Sequence, residues 1–335
     1  MFNIAIIGGG VVGLSTANVI QDSLKSLAKI TIYSENLSPN TTSDVAAGLW
    51  GPYLFFDTNP DQVLAWAKLT HKQFLNLWKN GSASEAGISL QSVKSVSGAP
   101  HTPFTTHINF GEHPMTPAEV DEMGQLLNQQ FQSGVTFVTL ACEPMKYLPY
   151  LLQRFLRNGG ILKHQKVNSL DQLSHYDLIV NCCGLGASSL IGDTQMKPVR
   201  GQIMRVKAPW QFTSALVGSV YIIPNLSFTI LGGTSQVDDR DTTVRDADTA
   251  KIIKGCKDLM PAIENAEVIE HKVGIRPGRV KVRLERETMS MNGKQMPVIH
   301  NYGHGGCGIT LSYGTAVSAT ELVKEALNIP PMSKL

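Results

Sequence analysis

The chain has 335 residues, of which 42% are hydrophobic, and a formal charge of +2 at pH 7. That length predicts two domains, or one domain with a large insertion, and the apolar share is that of a chain with a real core. No Lys/Arg block interleaved with aromatics and no acidic tail occurs, and apolar runs such as "LIV" at 178–180 are far too short to span a bilayer. These features argue against nucleic acid and against a membrane as partners.

The N-terminus enters an apolar run at once, without the charged head, long hydrophobic stretch and small-residue cleavage site of a secretory signal. "FNIAIIGGGVVGLSTANVI" opens with Ile4 to Ile7, which have the length and β-branching of a buried parallel strand. Gly8, Gly10 and Gly13 follow in the pattern G-x-G-x-x-G, and "VVGLSTANVIQDSLKSL" then has helical spacing. Gly8 allows the tight turn, Gly10 lets backbone approach a pyrophosphate, and Gly13 lets the helix lie against the strand. The residues between them, Val11 and Val12, supply N–H groups of the helix start. "KITIYSE" is the second strand and ends at Glu35, about twenty positions beyond Gly13, where a carboxylate can accept from an adenosine ribose. This context predicts dinucleotide binding and leaves FAD and NAD as alternatives.

"SPNTTSDVAAGLWGPY", residues 38–53, combines the hydroxyls of Thr41, Thr42 and Ser43 with small residues that let backbone pass close to a flat ligand. "YLPYLLQRFLRNGGILKHQKV" predicts an amphipathic helix, a Gly-Gly stop and a strand leading to Val167. "YDLIVNCCGLGASSL" predicts another buried strand ending in glycine. The five cysteines, at 142, 182, 183, 256 and 307, contain no CxxC pair and suit reduced thiols better than zinc or disulfides. "GQIMRVKA", "SVYIIP" and "FTILGGT" read as β-strands between turns. "DDRDTTVRDADTAKIIKGCKDLM" reads as a charged, solvated loop leading into a helix. In "VIHNYGHGGCGIT" the glycines argue against a helix that would align His300 and His304 as metal ligands, so both are expected to be structural, and no metal is expected. The last three residues, Ser333-Lys334-Leu335, spell a peroxisomal address read by an import receptor.

Five stretches, "TTSDVAAGLWGPYL", "RGQIMRVKAPW", "YIIP…LGGT", "VGIRPGR…VRLE" and "VIHNYGHGGCGIT", occur in one order and together resemble the D-amino-acid and D-aspartate oxidases, FAD enzymes of peroxisomes. The resemblance runs from residue 2 to the C-terminal tripeptide, with 55–140 the least distinctive part. It implies an α/β fold (α+β overall) in which a Rossmann-like FAD-binding domain with a parallel sheet is interleaved with a mostly antiparallel substrate domain. The flavin domain would take 1–50, 140–190 and 275–335, and the substrate domain 51–139 and 191–274.

The same resemblance assigns FAD to Gly8, Gly10, Val11, Val12, Gly13, Glu35, Thr41, Thr42, Ser43, Gly48, Leu49, Val167, Arg276, Gly305, Gly306, Gly308, Ile309 and Thr310. It implies that Arg276 forks onto a substrate carboxylate, that the Tyr221 hydroxyl supports that carboxylate, and that Gly306 accepts from the amine through its carbonyl. The implied reaction is oxidative deamination of a D-amino acid by O₂ in the peroxisome, giving a 2-oxo acid, ammonia and H₂O₂, by hydride transfer that needs positioning more than a dedicated base. The short "SALVGSVY" lid and "GGTSQ" look more like the acidic-substrate branch, D-aspartate and D-glutamate, which is the narrow expectation. That branch commonly has an arginine after GGT, where this chain has Ser235, so Arg240 or Arg205 would have to supply the second cation. "AAGLWGPYL" looks more like the branch that acts on neutral or basic D-amino acids, the alternative reading.

Overall fold

In the computed structural model, residues 1–100, 104, 105 and 107–330 are described; Ser333-Lys334-Leu335 lies outside them. The strands, in chain order, are β1 (Phe2–Ile7), β2 (Ala28–Ser34), β3 (Ile88–Ser97), β4 (Phe110–Pro114), β5 (Ser133–Cys142), β6 (Ile161–His164) and β7 (Leu178–Asn181). They continue as β8 (Met196–Lys207), β9 (Thr213–Val217), β10 (Val220–Pro224), β11 (Thr229–Gly232), β12 (Gln236–Val237), β13 (Glu267–Met291) and β14 (Lys294–His304). The helices are α1 (Val11–Leu24), α2 (Pro60–Lys79), α3 (Ala83–Ala86), α4 (Pro117–Leu127), α5 (Pro144–Arg157), α6 (Ala187–Leu190), α7 (Asp246–Leu259) and α8 (Gly308–Ala326).

One sheet runs β4-β5-β3-β9-β10-β11-β8-β13-β14-β7-β1-β2-β6, with β12 paired to β8. The end β6-β2-β1-β7-β14 is parallel throughout. Its central strand reads as an uninterrupted apolar run because both faces are covered. Ile4 and Ile6 enter the core formed with Leu14 and Ile20 of α1, Trp66 and Phe74 of α2, and Leu311 of α8. Ala5 and Ile7 face a second core with Tyr33, Val167, Tyr176 and Met296. Burying each of these isoleucines contributes about 2 kcal/mol. The helix-stop-strand reading of 147–167 holds: α5 ends at Arg157, Gly159 turns with φ +82°, and β6 follows.

The other half of the sheet is mostly antiparallel, the exception being β3 beside β9. Its strands alternate. Met204, Val206, Ile222 and Leu231 pack under Ile252 and Cys256 of α7, which leaves Ile203, Tyr221 and Gly232 to the opposite face.

The charged segment before α7 is exposed over most of its length, as its composition suggests, but it also has an inward task. It wraps the guanidinium of Arg200, which is fully buried. Arg200 donates to the carbonyls of Asp241 (2.8 Å) and Thr243 (2.6 Å), to Gln236 Oε1 (2.8 Å), to Gln202 Oε1 (2.9 Å) and to Asp248 Oδ2 (2.7 Å). A guanidinium withdrawn from water needs an acceptor for each N–H, and a loop rich in Asp and turn carbonyls supplies them. Arg245 closes the loop by pairing with Asp239 and Asp241. The result fixes the start of β8 beneath the site.

Candidate active site

Strand order reverses direction between β1 and β7, the place where an open parallel sheet leaves a crevice beyond its carboxyl ends. A cavity of about 540 Å³ opens there, lined by Val11 and Val12 after β1 and by Cys182 and Gly184 after β7. It extends along Thr42 to Leu49 and the segment Asn301 to Thr310, then over β10, β8 and β13 to Tyr221, Gly201 and Arg276.

The glycine turn is built as the spacing requires. Gly8 has φ +114°, and a Cβ on it would stand 2.4 Å from the Cys182 carbonyl oxygen. A Cβ on Gly13 would stand 1.9 Å from the Gly8 oxygen, so helix and turn touch backbone to backbone. The N-cap of α1, Gly10, brings no capping side chain, and the first turn holds no acidic residue. The Gly9 and Val11 N–H groups instead donate to Ser34 Oγ (2.9 Å) and Ser43 Oγ (3.1 Å). The N-terminus of α8 reaches the same cavity, likewise without a capping side chain or an acidic residue in its first turn. Two helix N-termini therefore point partial positive charge at one space, the arrangement that accepts phosphate and anionic ring edges.

Thirteen of the sequence-assigned residues line this cavity: Val11, Val12, Thr42, Ser43, Gly48, Leu49, Tyr221, Arg276, Gly305, Gly306, Gly308, Ile309 and Thr310. Gly8, Gly10 and Gly13 shape it from behind. Thr41 stands outside. Its N–H and Oγ1 donate to Asp44 Oδ2 (2.9 and 2.6 Å) in a capping box, a T-x-x-D signal legible in the sequence. Glu35 and Val167 also lie outside, at the carboxyl ends of β2 and beyond β6. The Glu35 carboxylate is exposed and pairs with Lys166 at 3.0 Å, and Val167 is buried in the second core.

Gly305 and Gly306 do more than bare the backbone toward a ligand. A Cβ on Gly305 would stand 2.1 Å from the Leu54 oxygen, and one on Gly306 would stand 2.6 Å from the Tyr53 ring. The segment 51–54 is thus packed on this loop. Cys307 Sγ accepts from Tyr53 N–H and donates to the Tyr53 carbonyl, both at 2.9 Å. Thr310 Oγ1 bridges the Gly51 N–H (3.3 Å) and carbonyl (3.0 Å). Tyr53, which the sequence reading passed over, is carried into the cavity wall with its ring centroid 6.0 Å from the Arg276 guanidinium.

Arg276 is half-buried, and its Nη1 donates to the carbonyls of Thr234 (3.1 Å) and Arg200 (3.4 Å). Among the described residues no ion pair engages it, in contrast to Arg200, Arg205, Arg279 and Arg283. Its guanidinium lies over Gly201, whose Cβ would stand 2.4 Å from Nη1. The Tyr221 ring lies over Gly232 in the same way, at 2.0 Å. The two glycines flatten the sheet so that side chains from β13 and β10 converge over it. Burial pushes the Tyr221 hydroxyl up to about 12, with the Arg276 charge pulling the other way, so it is a neutral donor at any physiological pH.

The two histidines are structural. His300 is buried and bonds Glu287 (3.1 Å) and Asn181 (3.3 Å), and burial together with the Arg283 charge lowers it to about 4. His304 lines the cavity, bonds Thr315 (3.2 Å), and is lowered by burial to about 4, so it is uncharged near neutrality.

Among the described residues, the second cation expected for acidic substrates is not in the cavity. Arg205 is buried on Glu270, the Asp44 carbonyl and the Phe228 ring, and Arg240 is exposed; neither lines the space.

Asn301 is a further residue that sequence reasoning missed. It is fully buried yet lines the cavity. Thr16 Oγ1 donates its proton to the Val12 carbonyl (2.7 Å), so Asn301 must present its amide N–H to Thr16 (3.1 Å), and this fixes the orientation of the amide. Among the described residues Asn301 Oδ1 has no partner. A buried orphan acceptor costs about 1–3 kcal/mol. An FAD hydroxyl or N–H would satisfy it, and with the α1 N-terminus, which has no acidic residue in its first turn, it makes these residues a fit for a dinucleotide that carries hydroxyls beside its phosphates. Asn301→Leu should weaken FAD binding roughly 10-fold or more, read by flavin fluorescence quenching; unchanged affinity removes Asn301 from the cofactor site.

The family described as DAO, FAD dependent oxidoreductase, matches residues 3–322. The chain is 37% identical to the D-aspartate oxidase of Homo sapiens over 331 residues, 97% of this chain and 95% of that one. It is 34% identical to the D-amino acid oxidase of Dugesia ryukyuensis over 332 residues, covering 97% and 98%. Among solved structures, glycine oxidase from Geobacillus kaustophilus superposes with a TM-score of 0.78 at 21% identity, covering 97% and 95%, a likeness of fold.

Proposed function

We propose that this chain, which belongs to the DAO family of FAD-dependent oxidoreductases, oxidatively deaminates D-amino acids. The observation that carries the reading is Arg276: a cation without a carboxylate partner among the described residues, held over Gly201 beside the neutral Tyr221 hydroxyl, in one cavity with Gly306 and the N-termini of α1 and α8. Bound FAD supplies the two-electron acceptor for the α-hydrogen and its electron pair, and hands the electrons on to O₂ as H₂O₂.

The rest is positioning. Arg276 takes the α-carboxylate with a planar fork and Tyr221 adds a second donor, so the carboxylate is fixed in place and in plane. The Gly306 carbonyl accepts from the amine. With two groups on the α-carbon fixed, one enantiomer directs its hydrogen toward the α8 side and its side chain into the open part of the cavity. The imino acid that forms adds water and splits into a 2-oxo acid and ammonia. Val11, Val12, Thr42, Ser43, Asn301 and the first turn of α8 hold the cofactor. The flavin part of the chain draws on 1–50, 140–190 and 275–335, which carry the five strands of the parallel end of the sheet, and the substrate part on 51–139 and 191–274. Helix α2, with Ala86 of α3 and Ile88 of β3, is the exception, since its Trp66 and Phe74 share the core of α1 and α8.

The test is anaerobic mixing of the FAD-loaded protein with D-amino acids and their L-enantiomers. The yellow flavin band should bleach with D-substrates only, and air should then return one H₂O₂ per 2-oxo acid. Protein that stays colourless after reconstitution, or flavin that no D-amino acid bleaches, overturns the reading. The peroxisomal destination belongs to the same proposal: a fluorescent fusion should reach peroxisomes, and one lacking Leu335 should remain outside them.

A further inference from the structure

We infer that the side-chain compartment of this cavity selects D-amino acids with neutral side chains, apolar or amide, and rejects D-aspartate and D-glutamate. The inference rests on the proposed D-amino-acid oxidation at the same site. Its basis is a row of residues in register across five strands: Ser95 of β3, Leu216 of β9, Tyr221 of β10, Gly232 of β11 and Ile203 of β8. Neighbouring strands lie about 4.8 Å apart, so Leu216 and Ser95 lie progressively farther from Arg276 than Tyr221 does. This is the space left to a side chain once Arg276 and Tyr221 hold the carboxylate.

Its walls are apolar or hydroxyl-bearing. Val45, Ile203, Leu216 and Ile223 line it, with the half-buried Ser95 and the exposed Ser219. Among the described lining residues Arg276 is the only cation, and its fork is committed to the α-carboxylate. Two other basic groups near this face are committed elsewhere, and a third, Arg240, does not line the cavity. Lys272, which pairs in register with Ile203, is 3.2 Å from Glu270; Arg205 is held by the same carboxylate; Arg240 is exposed. A second carboxylate carried into the compartment exchanges water for hydroxyls alone and meets no counter-charge, whereas an amide of the same shape has no charge to desolvate.

The matched pairs D-Gln/D-Glu and D-Asn/D-Asp, with D-Met beside them, isolate charge from shape. Flavin bleaching by the holoenzyme should give kcat/KM for each amide on the order of 100-fold above its acid. A ratio below about 10, or one favouring the acids, overturns the inference while leaving D-amino-acid oxidation standing. Bleaching by none of the five would instead sink the reaction itself. Leu216→Arg, which places a guanidinium in the compartment, should raise the D-Glu to D-Gln ratio by about 10-fold or more; an unchanged ratio rules out charge as the determinant.

Discussion

Arg276→Ala is expected to lower kcat/KM by about 3–5 kcal/mol, mostly through KM. The guanidinium is the group that neutralises the α-carboxylate, and the geometry shows it waiting rather than stored. Its partners are two carbonyls and an aromatic ring, none of which it must abandon a charge to leave. Arg276→Lys should recover only part of the loss, because an ammonium cannot make the two parallel bonds that also fix the carboxylate plane. Gly201→Ala tests the same assignment from beneath. A methyl 2.4 Å from Nη1 forces the guanidinium to move, and a displacement near 1 Å costs on the order of 100-fold in rate. Steady-state kinetics over one good substrate, with FAD affinity measured alongside, separates loss of substrate from loss of cofactor. Near-wild-type kinetics in Arg276→Ala would remove it from the site.

The contrast between Arg276 and Gly201 shows what was legible in the sequence. Arg276 stands in a motif that can be recognised in one dimension, and so do Gly8, Gly10 and Gly13. Gly201 and Gly232 stand in quoted motifs too, but their purpose depends on which side chain crosses above them from a neighbouring strand. Gly201 is 75 positions from Arg276, and cross-strand register is not written locally. The same limit hid the loop around Arg200, where composition reads as solvated charge until a buried guanidinium is placed among its carbonyls. Thr41 differs again. Its T-x-x-D box is local and visible in one dimension, and the structure forms it. Asn301 left no signal, because an orphan oxygen exists only once Thr16 has used its own proton elsewhere.

Gly13→Ala should be the most damaging single methyl in the flavin half. The added carbon would lie 1.9 Å from the Gly8 oxygen and must be separated from it by more than an ångström before the contact is tolerable. Neither partner can yield cheaply. Gly8 is itself pressed on the Cys182 carbonyl, and α1 buries Leu14, Ala17 and Ile20 against the sheet. Moving α1 outward also moves Val11 and Val12, breaks the 3.1 Å bond from Val11 N–H to Ser43, and misdirects the helix N-terminus. Apoprotein stability should fall by about 3 kcal/mol or more, and FAD affinity should fall on the order of 100-fold. Gly308→Ala is the control for a glycine of equal motif prominence. Its Cβ would meet only Val11 Cγ1 at 3.8 Å, so apoprotein stability should stay within about 0.5 kcal/mol of wild type. Denaturant melts of both apoproteins and FAD titrations decide the matter: if Gly13→Ala unfolds and binds as the parent does, the backbone contact between turn and helix is not what holds the dinucleotide end of the site together.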